Sequence, residues 1–496
     1  MRQLGFDNEK YLQLQSQKIM ERIEEFGGKL YLEFGGKLFD DNHASRVLPG
    51  FEPDSKVRML STIKDKVEVI IVINAADIAK NKLRSDIGIT YDEDCFRIVD
   101  ILTQRGLYVG SVVISQFNKT NTAAVAFEKK LKKNGIKVYH HYTIEGYPYN
   151  LQHVVSEEGL GKNEYIETTR ELIVVTAPGP GSGKMATCLS QLYHEGKRGV
   201  KAGYAKYETF PIWNLPLNHP VNIAYEAATA DLNDVNMIDP WHLQAYGSSA
   251  VNYNRDIEVF PVLNNLFEKL LGESPYKSPT DMGVNMAGFC ISDDEVCCKA
   301  SCQEIIRRYY QALVAQRKGA DNGNELEKIS IIMSKLGIKS TDRNVVVEAL
   351  YHSRKYNVPS AAMQLNDGTI VLGKTSDLMG CASALLLNAL KVLAGIPDHV
   401  KLIAPNAIEP IQKLKTESFG DFTAQLHTDE VLIALSVSAS EHQLAQKALE
   451  QLPNLRGCQF HSTVIPPHVD EKIFRKLGIE ATSEPVYASK RVYYNR

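Results

Sequence analysis

The segment Glu171–His194, ELIVVTAPGPGSGKMATCLSQLYH, decides the fold of the chain. Leu172–Thr176 is a nearly continuous apolar run, which is typical of a strand buried on both faces. Pro178–Gly183 then breaks the chain, and apolar residues recur at helical spacing after Lys184. A strand, a glycine-rich turn and a helix in this order provide backbone N–H groups and a helix N-terminus that can hold a phosphate.

The match to a phosphate-binding P-loop is partial. The pattern G-x-x-x-x-G-K-[ST] requires glycine at position 178 and a hydroxyl residue at position 185, where this chain has Pro178 and Met185. The usual Mg²⁺ ligand is therefore missing, although Thr187 is close by, and Pro180 has no N–H to donate. The alternative is a tight strand-to-helix turn that binds nothing. The residues expected to hold phosphate are Gly181, Ser182, Gly183 and Lys184.

Two earlier strands also run into polar turns. Lys29–Phe34 is followed by a glycine-rich stretch, and Val67–Ile73 is the clearest buried strand of the chain. Ligands of α/β proteins bind at the carboxyl ends of parallel strands, whereas an ordinary polar surface loop is the alternative. Asp77 or Thr187 is expected near any metal, such as the Mg²⁺ of a bound nucleotide cofactor. The residues predicted to line the other side of the ligand are Gly35, Gly36, Lys37, Arg46 and Asn74.

A second stretch, Gly368–Thr375 (GTIVLGKT), satisfies the P-loop pattern at every position. Thr369–Leu372 nevertheless has the composition of a strand, and Asn366-Asp367-Gly368 has that of a hairpin turn. Because residues in a strand cannot wrap a phosphate, we predict that this match is false.

The rest of the chain alternates strands and helices in its first and last parts. Residues 1–220 predict a doubly wound, mostly parallel sheet, 221–357 a helical domain, and 358–496 a separate C-terminal α/β domain. In the last domain, Val400–Ala404 and Val431–Val437 are predicted as strands.

Composition excludes several classes of protein. With a net charge of −3 in 496 residues, we expect neither nucleic acid nor a membrane as a partner. The first residues lack the apolar core of a signal peptide, and eight cysteines in a chain without one predict reduced thiols and a cytoplasmic location. A phosphorylated small molecule is the expected partner, and self-association is open.

The cysteines at 290, 297, 298 and 302 cluster along the chain without C-x-x-C spacing. Buried thiols explain Cys290, Cys297, Cys298 and Cys302 better than a zinc or iron–sulfur site does. His194-Glu195 begins like the zinc motif H-E-x-x-H, but Arg198 occupies the place of the second histidine. His140-His141 is a candidate acid/base pair, and a loop histidine without a catalytic role is the alternative.

Several long stretches together resemble a widespread bacterial family, uncharacterised protein family 0371. They are LEFGGKLFDDNHASRVLPGF, RSDIGITYD, APGPGSGKMATCLSQLYHE, AYGSSAVNYNRDIEVFPVL and LGKTSDLMGCASALLLNALK. The resemblance covers nearly the whole chain and implies a bacterial cytosolic protein with a nucleotide-binding-like α/β region, a helical part and a C-terminal α/β domain. It also implies a C-terminal layering similar to deaminase-like folds, without H-x-E or P-C-x-x-C metal ligands. The family has no established reaction.

Three functional hypotheses remain open. The first is an enzyme, or a former enzyme, that binds a nucleotide or another phosphorylated ligand on the turn before Lys184. The second is a non-catalytic assembly or regulatory protein. The third is a group transferase that uses a nucleotide-activated substrate. The sequence does not identify a catalytic residue.

Overall fold

A computed structural model describes residues 3–84, 87–320 and 323–489 of the chain. These residues form two compact units. Among the described residues, the N-terminal unit contains residues 4–226 and 233–301, and the C-terminal unit contains residue 3, 227–232 and those from 302 onward. The division into three domains at residues 220 and 357 stays a prediction. Residues 85 and 86, inside the RSDIGITYD stretch, lie outside the described residues.

The N-terminal unit contains a seven-stranded parallel sheet, as the alternation of strands and helices predicts. The strands of the unit are β1 Leu30–Phe34, β2 Val67–Asn74, β3 Leu83–Arg84, β4 Ile89–Thr90, β5 Tyr108–Ser115, β6 Val138–His140, β7 Leu172–Thr176, β8 Gly203–Tyr207, β9 Asn236–Ile238, β10 Val251–Tyr253 and β11 Gly283–Val284. Two pairs of short strands, β3 with β4 and β9 with β10, form hairpins outside the sheet. The order in the sheet is β11-β8-β1-β7-β2-β5-β6.

Helices cover both faces of this sheet. The helices that begin in this unit are α1 Asn8–Glu25, α2 Asn42–Val47, α3 Ser55–Thr62, α4 Ala75–Ala79, α5 Tyr91–Gln104, α6 Thr122–Lys133, α7 Leu151–Val154, α8 Lys184–Lys197, α9 Pro220–Ala228, α10 Pro240–Tyr246, α11 Asn254–Leu271, α12 Pro279–Met282 and α13 Asp294–Arg317, of which α9 and α13 end in the C-terminal unit. Every residue of β2 is buried, because Val69 and Ile71 pack into the core under α3 and α5 while Ile70 and Val72 pack under α8 and α11. The sheet is therefore doubly wound.

The chain reverses its direction across the sheet next to β7. It first moves outward from β1 through β2 and β5 to β6, and it then returns to insert β7 between β1 and β2. The later strands β8 and β11 are added on the far side of β1. In sheets of this kind the crevice at such a reversal, outside the carboxyl ends of the strands, is where ligands bind.

The C-terminal unit has a smaller mixed sheet in the order β13-β12-β14-β15. Its elements are α14 Glu325–Leu336, α15 Asn344–Tyr356, β12 Ser360–Gln364, β13 Ile370–Lys374, α16 Cys381–Leu393, α17 Pro405–Lys413, α18 Thr428–Ala439, α19 Gln443–Leu449, β14 Gln459–Ser462, α20 His468–Leu477 and β15 Glu480–Ser483. The first two strands form the predicted hairpin, and Gly368 in its turn has a φ of +92°. The GTIVLGKT match is thus a hairpin rather than a P-loop.

Two predicted strands of this unit are wrong. Val431–Val437 lies within helix α18, because Val431, Ala434 and Leu435 are buried at helical spacing while Ile433 and Val437 are exposed. A capping box at the start of the helix, formed by His427 and Glu430, fixes its first turn.

The second error is Val400–Ala404, which forms no strand. Leu402 and Ile403 are both buried, so this short apolar segment packs into the core without the alternation of a half-buried strand. The next residue, Pro405, begins α17, since the fixed φ of proline suits the first position of a helix.

Within the part predicted as helical, Val251–Tyr253 pairs as strand β10 before α11 begins at Asn254. Among the residues that the structure describes, every helix is too short or too polar to span a lipid bilayer.

Replacing Leu385 by alanine tests the core of the C-terminal unit. Leu385 is fully buried on α16, which packs against β12 and β13. We expect the free energy of unfolding of this unit to fall by about 2–5 kcal/mol, since the cavity cannot collapse completely. Hydrogen exchange of the β12 amides in increasing urea measures it. Leu378→Ala, at a side chain that is 47% exposed, is the control and should change little; equal effects would show that the packing is misassigned.

Candidate functional site

The turn between β7 and α8 leaves the central strand of the N-terminal sheet at its carboxyl end. Gly181 has a φ of +73° and Gly183 a φ of +95°, in the left-handed region that favours glycine. Gly183 is also the N-cap of α8, which is 14 residues long. The backbone conformation of the turn thus requires the two glycines of GSG, and Lys184 follows them directly.

The neighbouring elements hold this turn in place. Asn74, at the end of β2, donates its side-chain amide to the carbonyl of Gly181 at 3.4 Å. Ser115, at the end of β5, donates its hydroxyl to the carbonyl of Ser182 at 2.5 Å. A Cβ atom on Gly179 would lie 2.2 Å from the hydroxyl of Tyr91 on α5, so this close approach also needs glycine. Asn74 thus lies against the turn, and its contact with a ligand stays a prediction.

The start of α8 carries backbone donors that nothing caps. No acceptor in the described part of the chain bonds to the N–H groups of Lys184, Met185 or Ala186. Other helices of the unit do have such caps, for example Asp7 at α1 and Asn121 at α6. An uncapped helix start presents free N–H groups and the positive end of the helix dipole, and both attract anions.

Two side chains add to this character. Lys184 is half-buried, and no carboxylate of the described residues lies within 4.0 Å of its ammonium group. The hydroxyl of Ser182 is buried and has no hydrogen-bond partner among the described residues. An unpaired cation, an unsatisfied hydroxyl and free amides thus converge on one turn, which is a suitable place for phosphate oxygens.

The predicted metal ligands are engaged within the protein. Thr187 is fully buried, donates its hydroxyl to the carbonyl of Gly183 at 3.0 Å, and lies 3.3 Å from Nδ1 of His141. Asp77, on α4, pairs with Lys82 at 3.3 Å. The metal role of Thr187 and Asp77 stays a prediction.

The loop after β1 leaves the strand adjacent to β7, at the same edge of the sheet. Gly35 donates its N–H to the carbonyl of Tyr207 at 2.9 Å, and Gly36 has a φ of +68°. Lys37 is exposed, and Arg46 is half-buried on α2. These residues and the turn share an edge, but their contact with a common ligand stays a prediction.

A buried ion pair shapes that loop. Lys56 lies 2.9 Å from Asp41, and both side chains are largely removed from water. Burial alone would raise the pKa of Asp41, but the neighbouring Lys56 ammonium outweighs it and holds the pKa below its ordinary value. The polar residues after Gly36 thus stabilise the loop itself.

The structure also reveals a buried charge cluster that the sequence did not indicate. Lys206 on β8 lies 2.7 Å from Glu208 and in contact with Asp256 on α11. Glu33 on β1 is the register neighbour of Lys206, so the two side chains emerge on the same face of the parallel sheet. Tyr204 donates its hydroxyl to Glu33 at 2.8 Å.

Burial and the neighbouring charges bring the pKa of one carboxyl of this cluster closer to neutral pH. Burial raises the pKa of Glu208 and Asp256 raises it further, against the opposing effect of Lys206, to about 6. The cluster lies on the face of the sheet that α8 covers, since Tyr31 and Tyr204, two residues before Glu33 and Lys206 on their strands, pack with Cys188 of α8. The spacing of Lys206 and Glu208, two residues apart at a strand end, is the one local signal that could have revealed it.

The histidine candidates contact neighbouring groups of the protein, and an acid/base role of His140 and His141 stays a prediction. His140 lies between Glu128 and Glu164, at 3.4 and 3.2 Å. His194 contacts the carbonyl of Asn163 at 2.7 Å. Glu195, the second residue of the incomplete zinc motif, accepts a hydrogen bond from Tyr31 at 2.7 Å and pairs with Lys29.

Comparison with known proteins matches two family models to nearly the whole chain. Residues 4–337 match "Domain of unknown function DUF1846, N-terminal", and residues 341–493 match the corresponding C-terminal domain. A UPF0371 protein of Corynebacterium diphtheriae is 59% identical over 493 residues, which cover 99% of both chains. The chain belongs to the UPF0371 family. A UPF0371 protein of Streptococcus pyogenes serotype M5 is 54% identical over 99% of this chain and 100% of its own length.

Membership of the UPF0371 family confirms the resemblance found in the sequence. The family is described as one of unknown function, so the comparisons assign neither a reaction nor a ligand. The chemistry of the site has to be inferred from its residues.

The pH dependence of stability tests the assignment of His141 as a buried, neutral residue behind the turn. Burial lowers its pKa from 6.5 to about 4. Above pH 6.5 the ring is neutral in both states, so no penalty exists; as the pH falls towards 4, only the unfolded chain gains the proton. We expect the free energy of unfolding to fall by up to about 3 kcal/mol over this range.

Urea unfolding at a series of pH values measures the slope of the free energy of unfolding against pH. His141→Gln should remove it, whereas the control His153→Gln, at a half-buried histidine, should retain it. A wild-type slope that His141→Gln leaves unchanged would contradict the assignment.

Proposed function

We propose that the chain binds a phosphorylated ligand, most suitably a nucleotide, at the start of α8. The observation that carries the proposal is the uncapped first turn of this helix, whose N–H groups have no acceptor among the described residues. Phosphate oxygens would accept these N–H groups, and Lys184 would supply the charge-assisted contact. The position of the turn, where the strand order reverses, supports the same proposal.

The chemistry of the turn limits how a nucleotide would bind. Pro180 has no N–H, and Met185 occupies the position of the P-loop hydroxyl. The turn therefore supplies fewer N–H donors than a P-loop does. A bound Mg²⁺ would be held by the phosphates of the ligand and by water rather than by the side chain at position 185. Binding without rapid hydrolysis is what this residue set favours.

Calorimetric titration of ATP, GTP and a nucleotide sugar, each with and without Mg²⁺, tests the proposal. Lys184→Ala should weaken binding at least about tenfold, because it removes a charge-assisted hydrogen bond. Lys197→Ala is the matched control: it removes a lysine from the last turn of the same helix, where Lys197 pairs with Glu157 at 3.0 Å, and should leave the affinity unchanged.

Two outcomes would overturn the proposal. One is the absence of heat with every ligand, which would make the turn a structural connection and favour the assembly hypothesis. The other is binding that Lys184→Ala and Lys197→Ala leave equally strong.

A second candidate function is group transfer from a nucleotide-activated substrate. The observation that favours it is Glu208, a buried carboxyl with a pKa of about 6 in the cluster beneath α8. A group that titrates near neutral pH can accept a proton from an attacking hydroxyl and release it afterwards.

Glu208→Gln tests this second function, because glutamine keeps the shape of the side chain and loses its basicity. Product formation that depends on an added acceptor should fall by about 100-fold or more, whereas the affinity for the nucleotide should not change. Turnover that persists in Glu208→Gln, or that proceeds at the same rate without an acceptor, would exclude the role.

A further inference from the structure

We propose that His219, Asp294 and Cys298 form a binding site for Zn²⁺ in the N-terminal unit. The proposal is independent of the phosphate site, since none of its residues contacts the turn before α8. It rests on three different ligand atoms, a ring nitrogen, a carboxylate and a thiol, which all lie within 4.8 Å of one another. This mixture of nitrogen, oxygen and sulfur suits zinc, whereas Mg²⁺ and Ca²⁺ prefer oxygen alone.

The fold brings the three residues together from two segments. His219 directly precedes α9, and its side chain is 9% exposed. Asp294 is the first residue of α13, and Cys298 follows one turn later on the same face of the helix. A rigid helix thus fixes two ligands, and the start of another helix fixes the third.

The distances match a tetrahedral centre. Sγ of Cys298 lies 3.6 Å from Nε2 of His219 and 3.7 Å from Oδ2 of Asp294. Zinc bonds of ordinary length give tetrahedral edges of about 3.5 Å from sulfur to nitrogen or oxygen. The third edge, from Nε2 to Oδ1 of Asp294, is 2.9 Å, a hydrogen bond that has to open by about 0.4 Å to admit the ion.

The protons can be accounted for. His219 accepts the N–H of Val221 at Nδ1, at 3.3 Å, so in the metal-free protein Nε2 carries the proton and donates it to Asp294. Zinc would bind the lone pair of Nε2, and the ring proton would move to Nδ1. The hydrogen bond from Val221 to Nδ1 would then be lost, which costs about 1 kcal/mol. The thiol of Cys298 would lose its proton to solvent, so binding releases one proton.

Solvent access completes the arrangement. The side chain of Asp294 is 62% exposed, so the site opens to water on its carboxylate side. Three protein ligands and one open position would leave the fourth place to a water molecule, as in zinc sites that bind or activate a further group.

Cobalt titration of the reduced, full-length protein tests the site, because Co²⁺ replaces Zn²⁺ and its bond to a thiolate absorbs in the near ultraviolet. We expect one equivalent of Co²⁺ to give this band and one equivalent of Zn²⁺ to abolish it. Cys298→Ser should remove the band, and Asp294→Asn and His219→Gln should each weaken binding by at least about tenfold. Circular dichroism of each variant checks that it is folded.

Cys302→Ser is the matched control, since Cys302 is a half-buried thiol one turn further along α13. It should retain the band, as should Lys184→Ala, which separates this site from the phosphate site. A cobalt band that survives Cys298→Ser, or a folded wild type that takes up neither Co²⁺ nor Zn²⁺, would overturn the proposal.

Discussion

The insertion of β7 between β1 and β2 is the constraint on which the rest of the N-terminal unit depends. Leu172–Thr176 is buried on both faces, so the strand can lie only inside the sheet, where both neighbours satisfy its backbone groups. This position delivers the following turn to the carboxyl edge of the sheet, beside Asn74 and Ser115. The donors at the start of α8 are therefore a consequence of where one strand is buried.

Two sites with charges of opposite sign lie at this edge of the sheet. On one side of β1 lies a cationic turn with Lys184 and uncapped amides, and on the other lies a cluster with three carboxylates around Lys206. Burial, and after it the neighbouring carboxylates, raise the pKa of Glu208 above its ordinary value despite the Lys206 ammonium group. A ligand with an anionic end and a neutral, hydroxyl-bearing end matches this distribution of charge.

Much of this architecture follows from the sequence, because the period of apolar residues is a local property. Buried runs such as Val67–Ile73 identified the sheet, and the glycines of GSG identified the turn. The strand prediction for Val431–Val437 was wrong because a short apolar run fits a strand and a buried helix equally well until the exposed residues are known. The capping pair before it was the signal that could have decided the matter.

The remaining features depend on the order of strands and on contacts between distant segments. Glu33 and Lys206 are 173 positions apart, and only the pairing of β1 with β8 makes them neighbours. His219 and Asp294 meet in the same way, across 75 positions. A single sequence carries no local pattern for either pair, so the contribution of Glu33 to the charge cluster and the meeting of the proposed zinc ligands could not be found before the fold was known.

The discontinuity of the C-terminal unit has a consequence for synthesis on the ribosome. Its segment 227–232 is made before residues 233–301 of the other unit and long before residue 302, where the main part of the unit begins. This segment must therefore wait for partners that emerge at least 70 residues later. Expression of the chain as two halves, cut at any single position, would separate some residues from the unit in which they fold.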